Sequence, residues 1–178
     1  MLHESEGNHM TRIRKTTAAV MVAALATITG PPPAHAAATF YLHNLKSHKN
    51  LQPLNGNPAN GARIVQQPEN PLLLAQRWSW IAAGAYDSLH NAGTGKNLGI
   101  DGASTALGAL AIQANPSNDY NQDWLVLFEG YPEGYFALKN RKSGMCLGIS
   151  MGSTANGGQA AQFPCDGSPN QGWTTYPQ

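Results

Sequence analysis

Apolar positions in this chain come in short runs, and turn chemistry separates them. Asn55-Gly56-Asn57-Pro58, Asp101-Gly102, Gly144, Asn156-Gly157-Gly158 and Asp166-Gly167-Ser168-Pro169 punctuate the sequence at short intervals. Apolar pieces of this length bounded by Gly, Pro, Asn and Asp predict several short strands joined by tight turns. One stretch competes: Ala103 to Ala114 is rich in alanine and leucine and would score as helix on propensity alone. It occupies, however, the same slots in a longer repeat as the Gly-rich segment Asn156 to Phe163, which would make a poor helix. Strand and turn is therefore the expectation for both.

That longer repeat organises the whole chain. Gln76-Arg77-Trp78, Gln122-Asp123-Trp124 and Gln171-Gly172-Trp173 follow one another at 46 and 49 residues. Asn44, Asn91 and Asn140 each precede a leucine by seven residues (Leu51, Leu98, Leu147). Ten residues after each leucine stands a glycine (Gly61, Gly108, Gly157), and fifteen after it a glutamine (Gln66, Gln113, Gln162). A fixed period of this size marks a repeat architecture. The units run about 39–82, 84–132 and 134–178, with glycine at both junctions. Three units that close on one another bury every sheet edge, whereas an open solenoid needs capping ends. Closure predicts that Trp78, Trp124 and Trp173 share one core near a pseudo-threefold axis. The preceding glutamines, Gln76, Gln122 and Gln171, then bond backbone groups that the turns leave unpaired. Asn44, Asn91 and Asn140 read as turn residues of the same kind.

Composition narrows the setting. Arg12, Arg14 and Lys15, the apolar run Ala18 to Ile28 and Ala34-His35-Ala36 have the layout of a secretory signal peptide over residues 1–36, with Met10 as a possible start. An eleven-residue apolar run is too short to span a bilayer, and no second one of membrane length follows. Three of the 11 Lys and Arg and two of the 10 Asp and Glu lie in that leader, so residues 37–178 hold eight of each and are formally neutral. No basic stripe exists for nucleic acid to bind. The expected product is exported, extracellular and not inserted in a membrane. Its two cysteines, Cys146 and Cys165, are expected to pair there, closing a loop of about 20 residues worth about 3 kcal/mol in the chain-entropy model. A metal would need two more ligands in sequence reach, so no metal or other cofactor is expected.

The third repeat carries a resemblance. Cys146-Leu147-Gly148-Ile149, Gly152-Ser153-Thr154-Ala155-Asn156-Gly157, Gln162-Phe163-Pro164-Cys165 and Asn170-Gln171-Gly172-Trp173, with three Gln-x-Trp units in all, resemble the ricin-B-type β-trefoil lectin family. The resemblance covers residues 37–178. It implies an all-β trefoil of three four-stranded units, an intra-repeat disulfide at Cys146 and Cys165, secretion, and binding of sugars through up to three shallow pockets.

Such a pocket stacks an aromatic ring on the apolar face of a pyranose and brackets its hydroxyls with a carboxylate and amides. In the family these are an Asp just after Cys-Leu, an aromatic before the second Cys, and the Asn-Gln that opens Gln-x-Trp. Here the Asp slot holds Gln52, Gly99 and Gly148, the aromatic slot Gln67, Ala114 and Phe163, and the Asn slot Ala75, Asn121 and Asn170. The third repeat is thus the best candidate, with Phe163 for stacking, Asn170 for hydroxyls and Gln171 beside them. Alternate residues of a strand share a face, which brings Ser150 next to Gly148 and Asp101 next to Gly99, the latter a carboxylate for the second repeat alongside Asn121; the competing reading of Asp101-Gly102 is a turn. The first repeat reads as structural only. Tyr120, Tyr131 and Tyr176 are loop positions that would widen a binding surface, Trp80 is core or barrel rim, and His43 and His90 are solvent-exposed strand positions.

Three functions follow. The first is a secreted module that binds a glycan or polysaccharide without turnover. The second, favoured by the missing Asp in every repeat, is a trefoil that binds or inhibits a protein partner. The third is an enzyme, which the sequence does not favour: it has no nucleophile elbow, no His/Cys metal spacing and no phosphate loop.

Overall fold

Each repeat folds into four short strands. The computed structural model describes residues 38–177; the leader reading of residues 1–36 lies outside them. The first repeat forms β1 (Phe40–Asn44), β2 (Asn50–Pro53), β3 (Ile64–Gln67) and β4 (Arg77–Ala83). The second forms β5 (Tyr86–Asn91), β6 (Asn97–Ile100), β7 (Ala111–Ala114) and β8 (Asp123–Leu127), and the third β9 (Ala137–Asn140), β10 (Cys146–Ile149), β11 (Ala160–Phe163) and β12 (Trp173–Pro177). The alanine-rich stretch after Asp101 is turn and strand. Its apolar residues Ala111 and Ile112 pair with Ile100 and Gly99 of β6 and are buried there, and tertiary pairing overrides the helix propensity.

Six strands make a barrel. β12, β1, β4, β5, β8 and β9 pair in that order, all antiparallel, and a bridge between Phe136 and Trp173 closes β9 onto β12. The hairpins β2–β3, β6–β7 and β10–β11 form a second tier. Single bridges Arg63–Ile112, Leu110–Ala161 and Val65–Gln159 join the three hairpins to one another. This is a β-trefoil with its pseudo-threefold axis along the barrel. Closure leaves the barrel without a free edge strand.

The periodic residues hold the tiers together. Trp78, Trp124 and Trp173 are fully buried in one core with Leu51, Leu98 and Leu147. Each indole N–H donates to the carbonyl of the leucine in its own repeat, at 2.9, 3.1 and 3.0 Å. Each barrel tryptophan is thereby tied to a hairpin strand. Gln66, Gln113 and Gln162 join the hairpins of different repeats. The Gln66 amide donates to the carbonyls of Ser153 and Ala155, that of Gln113 to Asn57 and Ala59, and that of Gln162 to Ser104 and Ala106. Their side-chain oxygens accept from the hydroxyls of Ser47, Thr94 and Ser143. The three glutamines form a directed ring: first repeat onto third, third onto second, second onto first. On the axis itself the Gln159 amide lies within 2.7 to 3.3 Å of the equivalent carbonyls of Ile64, Ala111 and Ala160.

The asparagines form a second ring. The oxygens of Asn44, Asn91 and Asn140 accept from backbone N–H groups two and three residues on, closing their own turns. Their amides donate to the carbonyls of Asn170, Ala75 and Asn121 in the preceding repeat around the ring. Cys146 and Cys165 are bridged. Where the third repeat pairs Lys139 with Cys146, the first pairs His43 with Asn50 and the second His90 with Asn97. Each histidine Nδ1 lies about 3 Å from the asparagine Oδ1. The histidines are therefore half-buried cross-strand partners rather than the solvent-exposed positions the sequence suggests.

Two stability predictions follow from these contacts. Gln113→Ala removes three hydrogen bonds, two of them between repeats, and urea denaturation should show a loss of about 2–4 kcal/mol in one cooperative transition. At the barrel seam Tyr176 donates to Glu69 Oε2 at 2.7 Å. Burial, and then that carboxylate, push its hydroxyl pKa up to about 12 from the ordinary 10. The fold favours the protonated form, so this contribution is complete below pH 10 and is lost as pH rises through about 12. Thermal unfolding followed across that window should fall more steeply for the wild type than for Tyr176→Phe.

Candidate functional site

The third repeat carries an open hollow of about 460 Å³ beside Gly148. Phe163, at the end of β11, forms one wall, and Asn170 and Gln171, from the 3-10 turn Pro169–Gln171, form another. Asp166 and Ser168 stand on the loop between them, and Met151 and Gly152 on the turn after β10. Lys46 comes from the first repeat. Its arrival is a consequence of the asparagine ring: Asn44 bonds the carbonyls of Asn170 and Gly172, and two residues later the chain passes over the hollow.

The side chains divide into holders and presenters. Gln171 is 1 % exposed; its amide donates to the Pro164 carbonyl and its oxygen accepts from Asp166 N–H. Gln76 and Gln122 close their own loops in the same way, on Pro68 and Asn70 and on Asn115 and Ser117. Gln171 is thus occupied in holding the loop that carries Asp166. The Asp166 carboxylate is exposed, and hydrogen bonds from Ser168, side chain first and backbone second, hold its pKa below the ordinary carboxylate value. Met151 is 97 % exposed with φ 54°, in the left-handed region that non-glycine residues rarely occupy. The same place in the other repeats holds Asn55 and Gly102. A large apolar side chain is therefore held out at the rim where residues better suited to that backbone stand elsewhere.

The empty Asp slot has a physical explanation. A Cβ on Gly148 would lie 2.9 Å from Gln171 Cγ, 3.3 Å from Asn170 Nδ2 and 3.3 Å from Phe163 Cδ2. A Cβ on Gly99 would meet Gln122 Cγ at 3.2 Å and Asn121 Nδ2 at 3.3 Å. The asparagines fill that space because their amides donate to the carbonyls of Ile149 and Ile100. In the first repeat the exchange is reversed: Ala75 takes the asparagine's place, and Gln52 occupies the Asp slot. The Gln52 amide donates to Pro53, the equivalent carbonyl, and its oxygen accepts from Gln76. Every repeat satisfies the same carbonyl with one amide, supplied from one side of the cleft or the other.

Of the residues singled out in the sequence, Phe163, Asn170 and Gln171 come together around this hollow. Ser150 and Asp101 do not extend their strands. Each opens a 3-10 turn, so the strand alternation that would bring them beside Gly148 and Gly99 ends at Ile149 and Ile100. Ser150 is not among the lining residues, and Asp101 is exposed on its turn. Asn121 is buried, with its Oδ1 unpartnered among the described residues. Trp80 sits at the barrel rim against Phe40 and Phe136. Tyr131 packs toward Gly172, Tyr176 lies in β12, and Tyr120 is half-exposed under Arg141. Lys46 and Met151 have no reading in the sequence, and Asp166 reads there only as part of a turn. Asp166 carried a signal, since it sits just after Cys165 in a turn, but Lys46 is 124 residues from Asn170 and only closure of the ring brings it near. Among the described residues no three His, Cys, Asp or Glu side chains are grouped to hold a metal ion.

Comparison with known proteins places this arrangement. The profile of a family described as ricin-type beta-trefoil lectin domain-like matches residues 32–114 and 120–178. The designed threefold symmetric protein ThreeFoil is similar in structure, with 30% identity, a TM-score of 0.75, and coverage of 79% of this chain and 99% of its own. The exo-beta-1,3-galactanase 1,3Gal43A of Clostridium thermocellum is 29% identical with a TM-score of 0.76, over 81% of this chain and 31% of the galactanase. The Macrolepiota procera ricin B-like lectin, solved in complex with lactose, shares the fold at 20% identity and a TM-score of 0.69, over 80% of this chain and 98% of the lectin. No curated protein matches the sequence.

The packing around Gly148 makes a prediction. Gly148→Asp, which puts a carboxylate at the empty slot, should destabilise the chain by about 1–3 kcal/mol through overpacking against Gln171, Asn170 and Phe163. Thermal unfolding of Gly148→Asp beside Gly148→Asp/Asn170→Ala checks the cause, because the double variant should recover part of the loss.

Proposed function

The chain belongs to the ricin-type β-trefoil lectin domain-like family, and we propose that it is a secreted carbohydrate-binding module that recognises a glycan without turnover, through the hollow of its third repeat. The observation that carries this reading is that Phe163, Asp166, Asn170 and Lys46 line one open hollow. A pyranose presents an apolar C–H face and a ring of hydroxyls. Phe163 offers the face a flat apolar partner, and Met151 extends it at the rim. The Asp166 carboxylate accepts from hydroxyls, while the Lys46 ammonium donates to their oxygens. This carboxylate takes over what the Asp slot supplies in the family pattern, from a different loop.

Recognition without turnover fits the same inventory. Glycoside hydrolysis by the common route needs a pair of carboxyl groups flanking the bond, and Asp166 is the one acid lining this hollow. The site is shallow and open, so one sugar unit would be held at a millimolar order of affinity, and useful binding requires a polymer or a surface that engages more than one site. Secretion is supported by the leader pattern of residues 1–36 and by the Cys146–Cys165 bridge, which suits an oxidising compartment. The similarity to a β-1,3-galactanase and to a lactose-bound lectin makes galactose-containing glycans the first probes.

Titration with lactose and with β-1,3-galactan fragments, beside a glycan array, tests the reading. Phe163→Ala should weaken binding about tenfold or more, about 1.4 kcal/mol. Binding should stay level as pH falls through the ordinary carboxylate range and drop only below it, since Asp166 stays ionised there. Binding untouched by Phe163→Ala would move the site elsewhere, and no binding to any glycan would return the search to protein partners.

A further inference from the structure

A second hollow, of about 480 Å³, opens on the barrel wall between the β4–β5 hairpin and the loop that leads into β8. Gly99, Ala114 and Asn121 do not line it. It is therefore not the second repeat's counterpart of the Phe163 hollow. It lies on the other side of the loop that carries Tyr120.

Internal symmetry shows why it exists. Ser88 of β5 stands between Ile81 of β4 and Asp123 of β8. At the same place the first repeat has Tyr41 between Tyr176 and Arg77. The two tyrosine rings are 5.1 Å apart, and Tyr41 is buried. In the third repeat the middle position is Ala137, and Tyr131 moves in against Gly172: its Cδ1 lies 3.0 Å from where a Cβ on that glycine would stand. Tyrosine fills this part of the wall in two repeats. In the second, Ser88 leaves it open.

The floor of the opening is charged. The Asp123 side chain is 7 % exposed; Oδ2 accepts from Arg141 Nη1 at 2.9 Å and Oδ1 from the Ser88 hydroxyl at 3.3 Å. The Arg141 guanidinium lies 3.5 Å from the centre of the Tyr120 ring and 4.7 Å from that of Tyr86. The trefoil does not need this ion pair. Its equivalents are Arg77 with Ala92 and Gly172 with Leu45, yet all three repeats make the same backbone bond there, Ala92 to Arg77, Arg141 to Asp123 and Leu45 to Gly172, at 2.8, 2.9 and 2.9 Å. A buried ion pair is weak evidence for stability, because desolvation offsets its attraction. Among the described residues Arg141 donates from its side chain through Nη1 alone.

We propose that this hollow is a second glycan subsite, which takes a neutral pyranose with adjacent hydroxyls bridging Asp123 and Arg141 and its C–H face against the Ile81–Ala83 wall. Acceptor and donor stand side by side, as a vicinal diol requires. Their charges cancel, which favours neither an anionic nor a cationic ligand. The volume is within the range of small-molecule sites. The subsite rests on the glycan reading of the preceding section and deepens it: with the Phe163 hollow it gives one chain two points of attachment to a polymer.

The test is amide chemical-shift mapping of the full chain during titration with lactose and with β-1,3-galactobiose, on the wild type, Phe163→Ala and Ala82→Trp. Ala82 is an exposed wall position, so the tryptophan fills the hollow without entering the core. Support is two separate groups of shifting amides, one at Ser117, Asn118, Asp123 and Arg141, the other at Gly148 to Gly152 and Asn170. Ala82→Trp should then raise the dissociation constant of the first group about tenfold or more and leave the second unchanged, and Phe163→Ala should do the reverse. Shifts confined to the Gly148 group overturn the second subsite while the glycan reading stands. Shifts at Ser117 and Asn118 that persist in Ala82→Trp also overturn it. No shift anywhere with either sugar overturns the second subsite, and the glycan reading then stands or falls by the array.

Discussion

Three glutamine side chains decide whether this chain is one object or three. Gln66, Gln113 and Gln162 each carry an amide into the hairpin turn of another repeat and take a hydroxyl hydrogen on the oxygen. Because the contacts run around a circle, each repeat both gives such a contact and receives one, and the ring is complete only when all three repeats are in place. A four-stranded repeat alone would expose its tryptophan and an unpaired hairpin, and at this size it could not bury enough apolar surface to offset its chain entropy. The ring makes folding cooperative, and it makes position in one repeat depend on sequence in another.

The third-repeat hollow shows that dependence directly. Its aromatic wall and its carboxylate come from local sequence, Phe163 through Asp166. Its ammonium comes from Lys46, carried there by the turn that Asn44 pins to the third repeat. The bond from the Gln171 oxygen to Asp166 N–H then keeps the carboxylate's loop in place. What looks like a one-repeat pocket is an interface between two.

Much of this was legible in the sequence, and the boundary of legibility is instructive. Period, closure, buried indoles and the backbone roles of Gln76, Gln122, Asn44 and Asn91 all follow from residues that recur in register, because recurrence reports a requirement of the scaffold. What recurrence cannot report is what fills a gap. Gly148 and Gly99 read as lost carboxylates, whereas the structure shows the space taken by Asn170 and Asn121, with Gln52 and Ala75 making the opposite exchange. That is a compensation between positions more than 20 residues apart. Ser150 and Asp101 leave the expected strand face for a local reason: each opens a 3-10 turn just past its strand, and for Asp101-Gly102 that turn is the other reading of the sequence. The hollow over Asp123 was invisible for another reason, since it is left open by a small residue, Ser88, where the first repeat has Tyr41.

Gln159 carries a different lesson, about how alike three copies can be. Its amide sits on the axis, within hydrogen-bonding distance of one carbonyl from each repeat. An axis has room for one such group, and the equivalent positions hold Arg63 and Leu110 instead. Three glutamines would send three amides to a place that admits one, so only one repeat can hold this residue. A glutamine on the axis can therefore be used by one repeat alone: placing that amide at the point of highest symmetry is what makes the three copies differ there.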